Sequence, residues 1–398
     1  MTPTEWRAVL GLGLVYALRM AGMFMVLPVL ALYAQDLPGG ATPQQVGTAI
    51  GVYGLANALL QIPLGILSDR IGRKPVIVLG MIVFAIGSLV AGYATSIEMV
   101  MLGRLIQGAG AVSSAVAALV ADVTREQVRT TAMAIIGAGM GVAFVLALVL
   151  GPVFSGFVGV DGIFFLTAGL AVLSLPIVMV GVPTPPPPSA APSGGFRAAF
   201  ADPGLLRLDL GIFVLHAMMA CLFTAAPLVI VETMELPSPE HWKVYLPVLL
   251  LSILPVFPLI RWAETRARGA MVFRAAIAGL AVSMAIAATE HGNVPGLIAS
   301  LLLYFVAFNY LEGALPSLIS RRAPASRKGA ALGVYSTAQF LGGFAGAELG
   351  GFTREHFGMT AAFAACALLP LVWLLFAQSD DGATVGENGS AVPAGRET

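Results

Sequence analysis

The chain has 398 residues, of which 58% are hydrophobic and only 11% are charged, and its formal net charge is zero. A soluble domain carries about a quarter charged residues, so this composition excludes an ordinary soluble protein. The neutral charge gives no sign of nucleic-acid binding, and the two cysteines, Cys221 and Cys366, lie in apolar runs that suit neither a disulfide framework nor a thiol metal site. A polytopic membrane protein is therefore predicted.

Twelve apolar runs near or above the ~20 residues that cross a bilayer follow one another along the chain. Their predicted bounds are 8–34, 46–68, 75–95, 98–121, 131–157, 162–182, 210–232, 244–260, 270–289, 294–320, 329–352 and 358–377. The longest connection, rich in Pro, Ser and Gly, separates the sixth run from the seventh. We predict an all-α protein with an N-terminal six-helix bundle at 1–182, a linker at 183–209, a C-terminal six-helix bundle at 210–379 and a polar tail at 380–398.

Positive charge collects on one side of this arrangement. Of the 21 Lys and Arg residues, 17 fall in the tails and connections on the side of the termini, whereas Lys243 and Arg354 fall on the other side. Short cytoplasmic connections carry an excess of Lys and Arg. Both termini are therefore predicted to be cytoplasmic.

A short charged turn joins the second and third runs. Its candidate functional residues are Gly65, Asp69, Arg70, Gly72, Arg73 and Lys74, and Asp122 ends the fourth run on the same face. Carboxylate and guanidinium groups at such a boundary form charge-assisted bonds, and Asp69 is also suited to the N-terminus of the eleventh helix near Gly329. We predict a conformational latch, meaning a contact made in only one orientation of the two halves. The alternative is a positive turn that only fixes topology.

Ionisable side chains within the runs are a second set of candidates, because each costs about 2.5–3.5 kcal/mol unless it is paired or faces water. They are Arg19, Arg104, His216, Glu312 and Glu348. From their depths we expect Arg19 to face Glu312 and Arg104 to face Glu348 across a cleft, or else each to pair within its own half. A carboxylate that alternates between an apolar and a paired environment can bind and release a proton. Glu312 is the first candidate proton carrier, Glu348 the second, and His216 a third.

Two further groups complete the candidates. Gly151, Pro152 and Gly156 in the fifth run predict close helix packing and a kinked outer seal, or packing alone. A mixed cavity lining of polar, aromatic and Met side chains is expected at Tyr16, Met23, Asn57, Gln61, Met218, Phe223, Asn309, Tyr310 and Gln339. The halves also repeat weakly, since Pro63, Asp69 and Arg73 align with Pro258, Glu264 and Arg268.

Several of these motifs resemble those of one family. Gly65-x-Leu67-Ser68-Asp69-Arg70-x-Gly72-Arg73-Lys74 resembles the signature loop between helices two and three of the major facilitator superfamily, and Arg104-x-x-Gln107-Gly108 resembles its fourth-helix Arg motif. Gly151-Pro152-x-x-Ser155-Gly156 is similar to the motif of the drug–proton antiporter branch, although Ala147 replaces its usual Gly. Leu18–Phe24 and Asn309–Glu312 are similar to YajR-type members, some of which carry a soluble C-terminal domain that we do not expect here.

The resemblance implies a secondary transporter of a bacterial inner membrane that works by alternating access. Proton-coupled efflux of small amphipathic compounds is the leading hypothesis, with Arg104 tuning the proton step. A proton symporter or facilitator that imports a metabolite is the alternative, and a channel or a transport-dead sensor is a different class. The expected partners are a small-molecule substrate, protons and the lipid bilayer, for a monomer without cofactor, metal or nucleic acid. No nucleophile–base constellation or phosphate-binding loop suggests an enzyme.

Overall fold

The computed structural model describes residues 1–184, 201–265, 268–323 and 328–377, and the regular structure in these ranges is helical throughout. The helices of the first half are α1 (Pro3–Asp36), α2 (Pro43–Ile71), α3 (Arg73–Gly92), α4 (Ile97–Ala109), α5 (Ser113–Val123) and α6 (Glu126–Pro176), which a π-helical turn (Ile177–Gly181) extends. Those of the second half are α7 (Pro203–Met234), α8 (Trp242–Ile253), α9 (Val256–Thr265), α10 (Gly269–Glu290), α11 (Val294–Arg322) and α12 (Lys328–Phe376). A 3₁₀ turn, Ser238–Glu240, precedes α8.

Ten segments of the described ranges are long and apolar enough to cross a membrane. Two of them, Glu126–Gly181 and Gly329–Phe376, have 56 and 48 residues, which is enough for two crossings each. Each contains one glycine with non-helical backbone, Gly159 at φ 72° and Gly358 at φ 85°. These conformations are accessible to glycine and strained for other residues, so the chain reverses there. The described part therefore holds the twelve predicted crossings, as α4 with α5 and α8 with α9 each make one.

Local sequence fixes where several helices begin. Thr2 and Thr42 cap α1 and α2 in reciprocal capping boxes with residues three positions later. Asp202 caps α7, where its Oδ1 accepts hydrogen bonds from the Gly204 and Leu205 amides over 2.8 and 3.2 Å, and Pro203 occupies the first helical position. The seventh crossing therefore begins at Pro203, and residues 203–209 belong to the helix rather than to the predicted linker.

Two faces of the bundle can now be distinguished. The terminal face is the end at which α1 begins and α2 ends, and the far face is the end at which α1 ends and α2 begins. At the far face, α2 crosses α12 along a row of glycines, Gly47, Gly51 and Gly54. Their neighbours on α12 are Ala347, Phe344 and Phe340, so close that an added Cβ would overlap or press on backbone atoms. The Gln44 amide also donates to Glu355 Oε2 over 2.9 Å.

The halves separate toward the terminal face. Gly65 of α2 has Ser114 of its own half as its neighbour, and a Cβ at Gly329 of α12 would meet nothing within 4 Å. Arg73, Arg125 and Arg322, near this face, pair with carboxylates of their own halves. The close contact between α2 and α12 therefore lies at the far face, and the cleft between the halves opens at the terminal face.

Candidate functional site

The charged turn between α2 and α3 is held within the first half. Gly72 takes φ 100°, which lets α2 end and α3 begin without an intervening loop. Arg73 forms an ion pair with Asp69, donates from Nε to Asp122 Oδ2 over 3.1 Å, and donates from a terminal nitrogen to Ser68 Oγ over 2.7 Å. The predicted grouping of Asp69, Arg73 and Asp122 is thus present in the structure.

The neighbouring residues of the turn have different surroundings. The Lys74 ammonium donates to the Val182 carbonyl over 2.5 Å, at the end of the sixth crossing. Gly65 lets α2 approach α5, because a Cβ there would lie 3.0 Å from Ser114 Oγ. Arg70 is exposed. Asp69 pairs with Arg73, and its side chain is 41% exposed, so the expected contact with the start of α12 is not formed in this open arrangement.

The corresponding turn of the second half is described only in part. Arg268 lies with its guanidinium carbon 5.5 Å from the centre of the Trp262 ring. The side chain of Glu264, the predicted counterpart of Asp69, lies outside the described residues. A second latch at this turn therefore stays a prediction.

Two buried guanidinium groups flank one aromatic ring inside the first half. Arg19 is 1% exposed and lies within hydrogen-bond reach of Ser113 Oγ and the Gly110 carbonyl, at 3.5 and 3.4 Å. Arg104 is 2% exposed and donates to Gln107 Oε1 over 3.1 Å. Their guanidinium carbons lie 5.9 and 4.9 Å from the centre of the Tyr53 ring.

The expected pairs across the cleft are therefore not formed in this structure. Arg19 contacts Ser113 instead of Glu312, and Arg104 contacts Gln107 and backbone carbonyls instead of Glu348, which is half-buried on α12. The alternative, pairing within the same half, applies to both arginines. Depth along a helix could be read from sequence, but the direction of the side chain around the helix could not.

One face of α2 carries polar groups without a described hydrogen-bond partner. The Tyr53 hydroxyl, both polar atoms of the Asn57 side chain and Gln61 Oε1 are buried in this way. The three residues are spaced four apart, so they share a helix face beside Arg19. Asn57 and Gln61 were predicted to line a cavity and are buried here, whereas Tyr53 was missed, although its spacing from Asn57 was a usable signal.

The other predicted cavity residues fall into three groups. Tyr16 donates to Ser113 Oγ over 2.9 Å, and Asn309 donates to Ser252 Oγ over 2.9 Å, so both are anchored by hydroxyl groups. Met23 and Tyr310 are 9% and 7% exposed. Met218 and Phe223 have no exposed surface and belong to the buried hydrophobic core, and that they line a cavity stays a prediction.

The second half presents a histidine, a carboxylate and an amide together. Gln339 Nε2 lies 2.7 Å from His216 Nε2, and His216 Nδ1 lies 4.0 Å from Glu312 Oε2. With the amide nitrogen as donor, Nε2 accepts, so the neutral ring carries its proton on Nδ1, the nitrogen that faces Glu312. Glu312 Oε2 and His216 Nδ1 are buried without a hydrogen-bond partner, although the Glu312 side chain as a whole is 36% exposed.

Aromatic rings connect this group to the first half. The Phe308 ring lies 6.1 Å from His216 and stacks at 6.0 Å on Phe144 of α6, which in turn meets Phe24 of α1 edge-on at 4.8 Å. The contact between Phe144 and Phe308 crosses the cleft. These rings form an apolar partition beside the His216–Glu312 pair.

An apolar cavity of about 420 Å³ lies next to this partition, between the halves. Gly141 and Val145 of α6 line one wall, Ile253 and Phe257 line the other, and Asn309 of α11 supplies the polar side chain. Its volume is in the range of small-molecule sites, and such sites are mostly apolar with a few polar groups. Val142 and Phe257 of this lining are 60% and 66% exposed, so the cavity is an open groove rather than an enclosed chamber.

The Gly-Pro motif of the fifth crossing mediates close packing at two places. A Cβ at Gly151 would overlap the Met25 carbonyl of α1, and a Cβ at Gly156 would lie 2.8 Å from Pro239 of the second half. Ser155 Oγ donates a hydrogen bond to the Pro152 carbonyl over 2.7 Å, so this backbone oxygen has a partner. Gly156 thus permits a contact between the halves near the far face, where an outer seal was expected.

Both halves bury ionisable side chains of both signs, Glu5 and Arg354 among them. The first half buries Arg19 and Arg104, and the second half holds Glu312 beside His216, together with Asp209 of α7, which sequence reasoning missed. Asp209 is 6% exposed, and it was missed because the predicted span began one residue later. Groups of this kind inside a membrane are costly unless they pair, face water or serve transport.

Twelve helical crossings in two halves, with buried ionisable groups beside a central cleft, define the architecture of a secondary transporter. The profile of the Major Facilitator Superfamily matches residues 12–347, and the chain belongs to this superfamily of membrane transporters. The predicted fold and family are thus confirmed.

Individual relatives are consistent with this assignment. The chain is 44% identical over 384 residues to the inner membrane transport protein YajR of Escherichia coli (strain K12), which covers 95% of this chain and 84% of that protein. It is 30% identical over 163 residues to the tetracycline resistance protein, class B, of Escherichia coli, covering 40% of each chain. The crystal structure of a bacterial homologue of the human lysosomal transporter Spinster, inward-facing and unoccupied, matches at a TM-score of 0.73 and 16% identity, over 97% of this chain and all of that one.

Proposed function

We propose that this transporter is a proton-coupled antiporter that exports small amphipathic compounds across a bacterial inner membrane by alternating access. Both termini lie in the cytoplasm, so the terminal face is the cytoplasmic face and the far face is periplasmic. The excess of Lys and Arg in the connections of the terminal face supports this orientation. The cleft then opens to the cytoplasm in the present structure.

The observation that carries the proposal is the position of Glu312. One carboxylate oxygen is buried without a hydrogen-bond partner 4.0 Å from His216 Nδ1, while the side chain retains exposed surface. Burial disfavours the ionised form of a carboxylate, and access to water lets it exchange its proton. These observations support our proposal that Glu312 binds a proton in one orientation of the halves and releases it in the other, with His216 as its neighbour.

The substrate class follows from the apolar cavity between α6 and the eighth crossing. Its walls are Gly, Val, Ala, Leu, Ile and Phe side chains, and Asn309 is the polar side chain among the lining residues. A strongly charged or heavily hydroxylated solute would lose its hydration there without compensation. An amphipathic compound suits it, and the similarity of part of the chain to a tetracycline resistance protein supports export.

The charged turn supplies the conformational latch. When the halves tilt to close the cytoplasmic face, Asp69 reaches the N-terminus of α12, where the helix dipole favours a carboxylate by about 0.3–1 kcal/mol, or ~2 kcal/mol if buried. Arg73 and Asp122 hold the turn in shape in the open state. Protonation at Glu312 and this contact then act on the same equilibrium between two orientations.

The experiment uses the full-length protein in liposomes with an acidic lumen, screened against hydrophobic cations, sugars and organic acids. An antiporter releases lumenal protons when its substrate is added outside, whereas a symporter moves solute and proton in the same direction. Glu312→Gln should abolish pH-driven transport and retain counterflow of substrate. Glu290→Gln, an exposed carboxyl at the end of α10, is the matched control and should behave as wild type.

Two results would contradict the proposal. Unchanged pH-driven transport in Glu312→Gln would exclude Glu312 as the proton carrier. Substrate movement without any proton flux, in either direction, would exclude coupling altogether.

A further inference from the structure

The first half buries two positive charges that no carboxylate of the described residues neutralises. Arg19 and Arg104 are 1% and 2% exposed, and neither takes part in an ion pair within the described ranges. The contacts of Arg19 are also long, at 3.5 Å to Ser113 Oγ and 3.4 Å to the Gly110 carbonyl, whereas charge-assisted hydrogen bonds measure about 2.7–2.9 Å. A buried charge is costly unless it is paired, so these guanidinium groups need a counter-charge.

Hydrogen-bond donors without an acceptor lie beside Arg19. Its own Nε, the Tyr53 hydroxyl and Asn57 Nδ2 are all buried without a partner in the described part of the chain. The Arg19 guanidinium carbon lies 5.9 Å from the centre of the Tyr53 ring, and Asn57 follows Tyr53 by one turn on the same face of α2. A negatively charged acceptor would satisfy such donors together. The unpartnered oxygens of Asn57 and Gln61 suit ordered water beside it.

This group of side chains lies where the first half meets the second. The Tyr53 ring meets the ring of Phe340 on α12 edge-on, with 6.2 Å between the ring centres. On the other side, Ser113 Oγ accepts a hydrogen bond from Tyr16, which is half-buried one turn nearer to the terminal face than Arg19. The unpaired donors therefore adjoin both the second half and the segment of α1 that leads toward the open end of the cleft.

We infer that Arg19, Tyr53 and Asn57 form a binding site for a monovalent anion, either a carboxylate or a halide. Arg104 adds a second positive charge, since its guanidinium carbon lies 4.9 Å from the centre of the Tyr53 ring. The inference goes beyond proton-coupled export and does not depend on it. If the anion is the carboxylate of an amphipathic compound, this site binds the charged end that the apolar cavity does not accommodate.

The test is isothermal titration calorimetry on the purified full-length protein in detergent. The probes are sodium benzoate, an amphipathic carboxylate, and sodium chloride, with benzamide as the neutral control of similar shape. Sodium sulfate keeps the ionic strength constant, because a doubly charged ion is costlier to dehydrate. Benzoate should bind with one molecule per protein, chloride should displace it, and benzamide should not bind.

Two variants assign the binding to the site. Arg19→Met should weaken benzoate binding by about 10- to 150-fold, and Tyr53→Phe, which removes only a hydroxyl, by about 2- to 12-fold. Without either probe, neither variant should unfold at a lower temperature than wild type, because each removes a buried group that lacks a good partner. Arg274→Gln, an exposed arginine of α10, is the matched control and should keep the wild-type affinity.

The outcomes separate the two sources of the anion. Benzoate binding that chloride displaces supports the charged end of an organic compound, and chloride binding alone supports a resident inorganic ion. Binding of neither probe overturns the inference, as does wild-type affinity in Tyr53→Phe, which also decides the matter if Arg19→Met fails to fold. An equal loss in Arg274→Gln overturns it too.

The result is independent of the proposed function. The titration measures neither proton flux nor transport, so a negative result leaves the role proposed for Glu312 standing. Conversely, substrate movement without proton flux would contradict the proposed coupling and leave the anion site standing.

Discussion

The contact between α2 and α12 offers a direct way to shift the balance between the two orientations. Gly47 faces the Ala347 carbonyl and the Gly351 Cα, and a Cβ at Gly47 would overlap the former and lie 3.1 Å from the latter. Both neighbours are backbone atoms, which cannot rotate away as a side chain can. Gly47→Ala therefore forces the helices apart wherever the far face is closed.

The size of the effect follows from the cost of overpacking. Inserting a methyl group into a well-packed contact costs about 1–3 kcal/mol. The orientation with an open far face lacks this contact, so the added methyl group does not destabilise it. The whole free-energy cost therefore shifts the equilibrium between the two orientations. The ratio of the two orientations should change by about 5- to 150-fold in favour of the open far face.

The assay is a distance measurement between spin labels at the terminal face. Ile71→Cys on α2 and Arg321→Cys on α11 place labels at exposed positions of opposite halves. Cys221 and Cys366 are buried, so they should label slowly. Wild type should give mainly the long distance of the open terminal face, and Gly47→Ala should add a population at shorter distance.

Gly343→Ala is the matched control, since a Cβ at that position of α12 would meet nothing within 4 Å. Its distance distribution should equal that of wild type. The reasoning is refuted if Gly47→Ala leaves the distribution unchanged, or if Gly343→Ala shifts it equally.

Two other predictions concern the charged turn. Asp69→Asn should fold and insert normally but slow turnover by about 2- to 30-fold, the kinetic equivalent of a lost helix-dipole contact; wild-type transport rates in liposomes would count against the latch. Gly72→Ala should destabilise the protein by about 1–3 kcal/mol, because φ 100° is strained for alanine, and thermal unfolding in detergent should show a lower midpoint than for Gly313→Ala, where nothing lies within 4 Å of the added Cβ.

The crossings were predictable because hydrophobic length decides them. Apolar runs of about twenty residues cross a membrane in any tertiary context, so the predicted bounds and the helices agree within a few residues at most ends. The largest difference is at the start of α7, where apolarity alone placed the boundary at 210. The Asp202–Pro203 pair, a capping residue followed by proline at the first helical position, was the signal for an earlier start.

The site was predictable only in part. The sequence gives the depth of a residue along its membrane-crossing helix, but it does not give the direction in which the side chain points from that helix. Arg19 and Glu312 lie at depths that allow a pair, yet Arg19 turns toward Ser113 within its own half. Met218 was expected in the cavity for its adaptable side chain, and the structure gives it no exposed surface. By contrast, His216, Glu312 and Gln339 come from three helices and meet, a grouping that the sequence analysis did not predict.

The central claim is that transport requires the halves to separate at the far face and meet at the terminal face in turn. The most direct test is a short, reducible crosslinker between Gln44→Cys and Glu355→Cys, positions whose native groups are joined by a 2.9 Å hydrogen bond across the far face. The crosslinked transporter should bind substrate from the terminal face but stop transporting, and reduction should restore the full rate. Transport at the full rate with the crosslink intact would contradict the account.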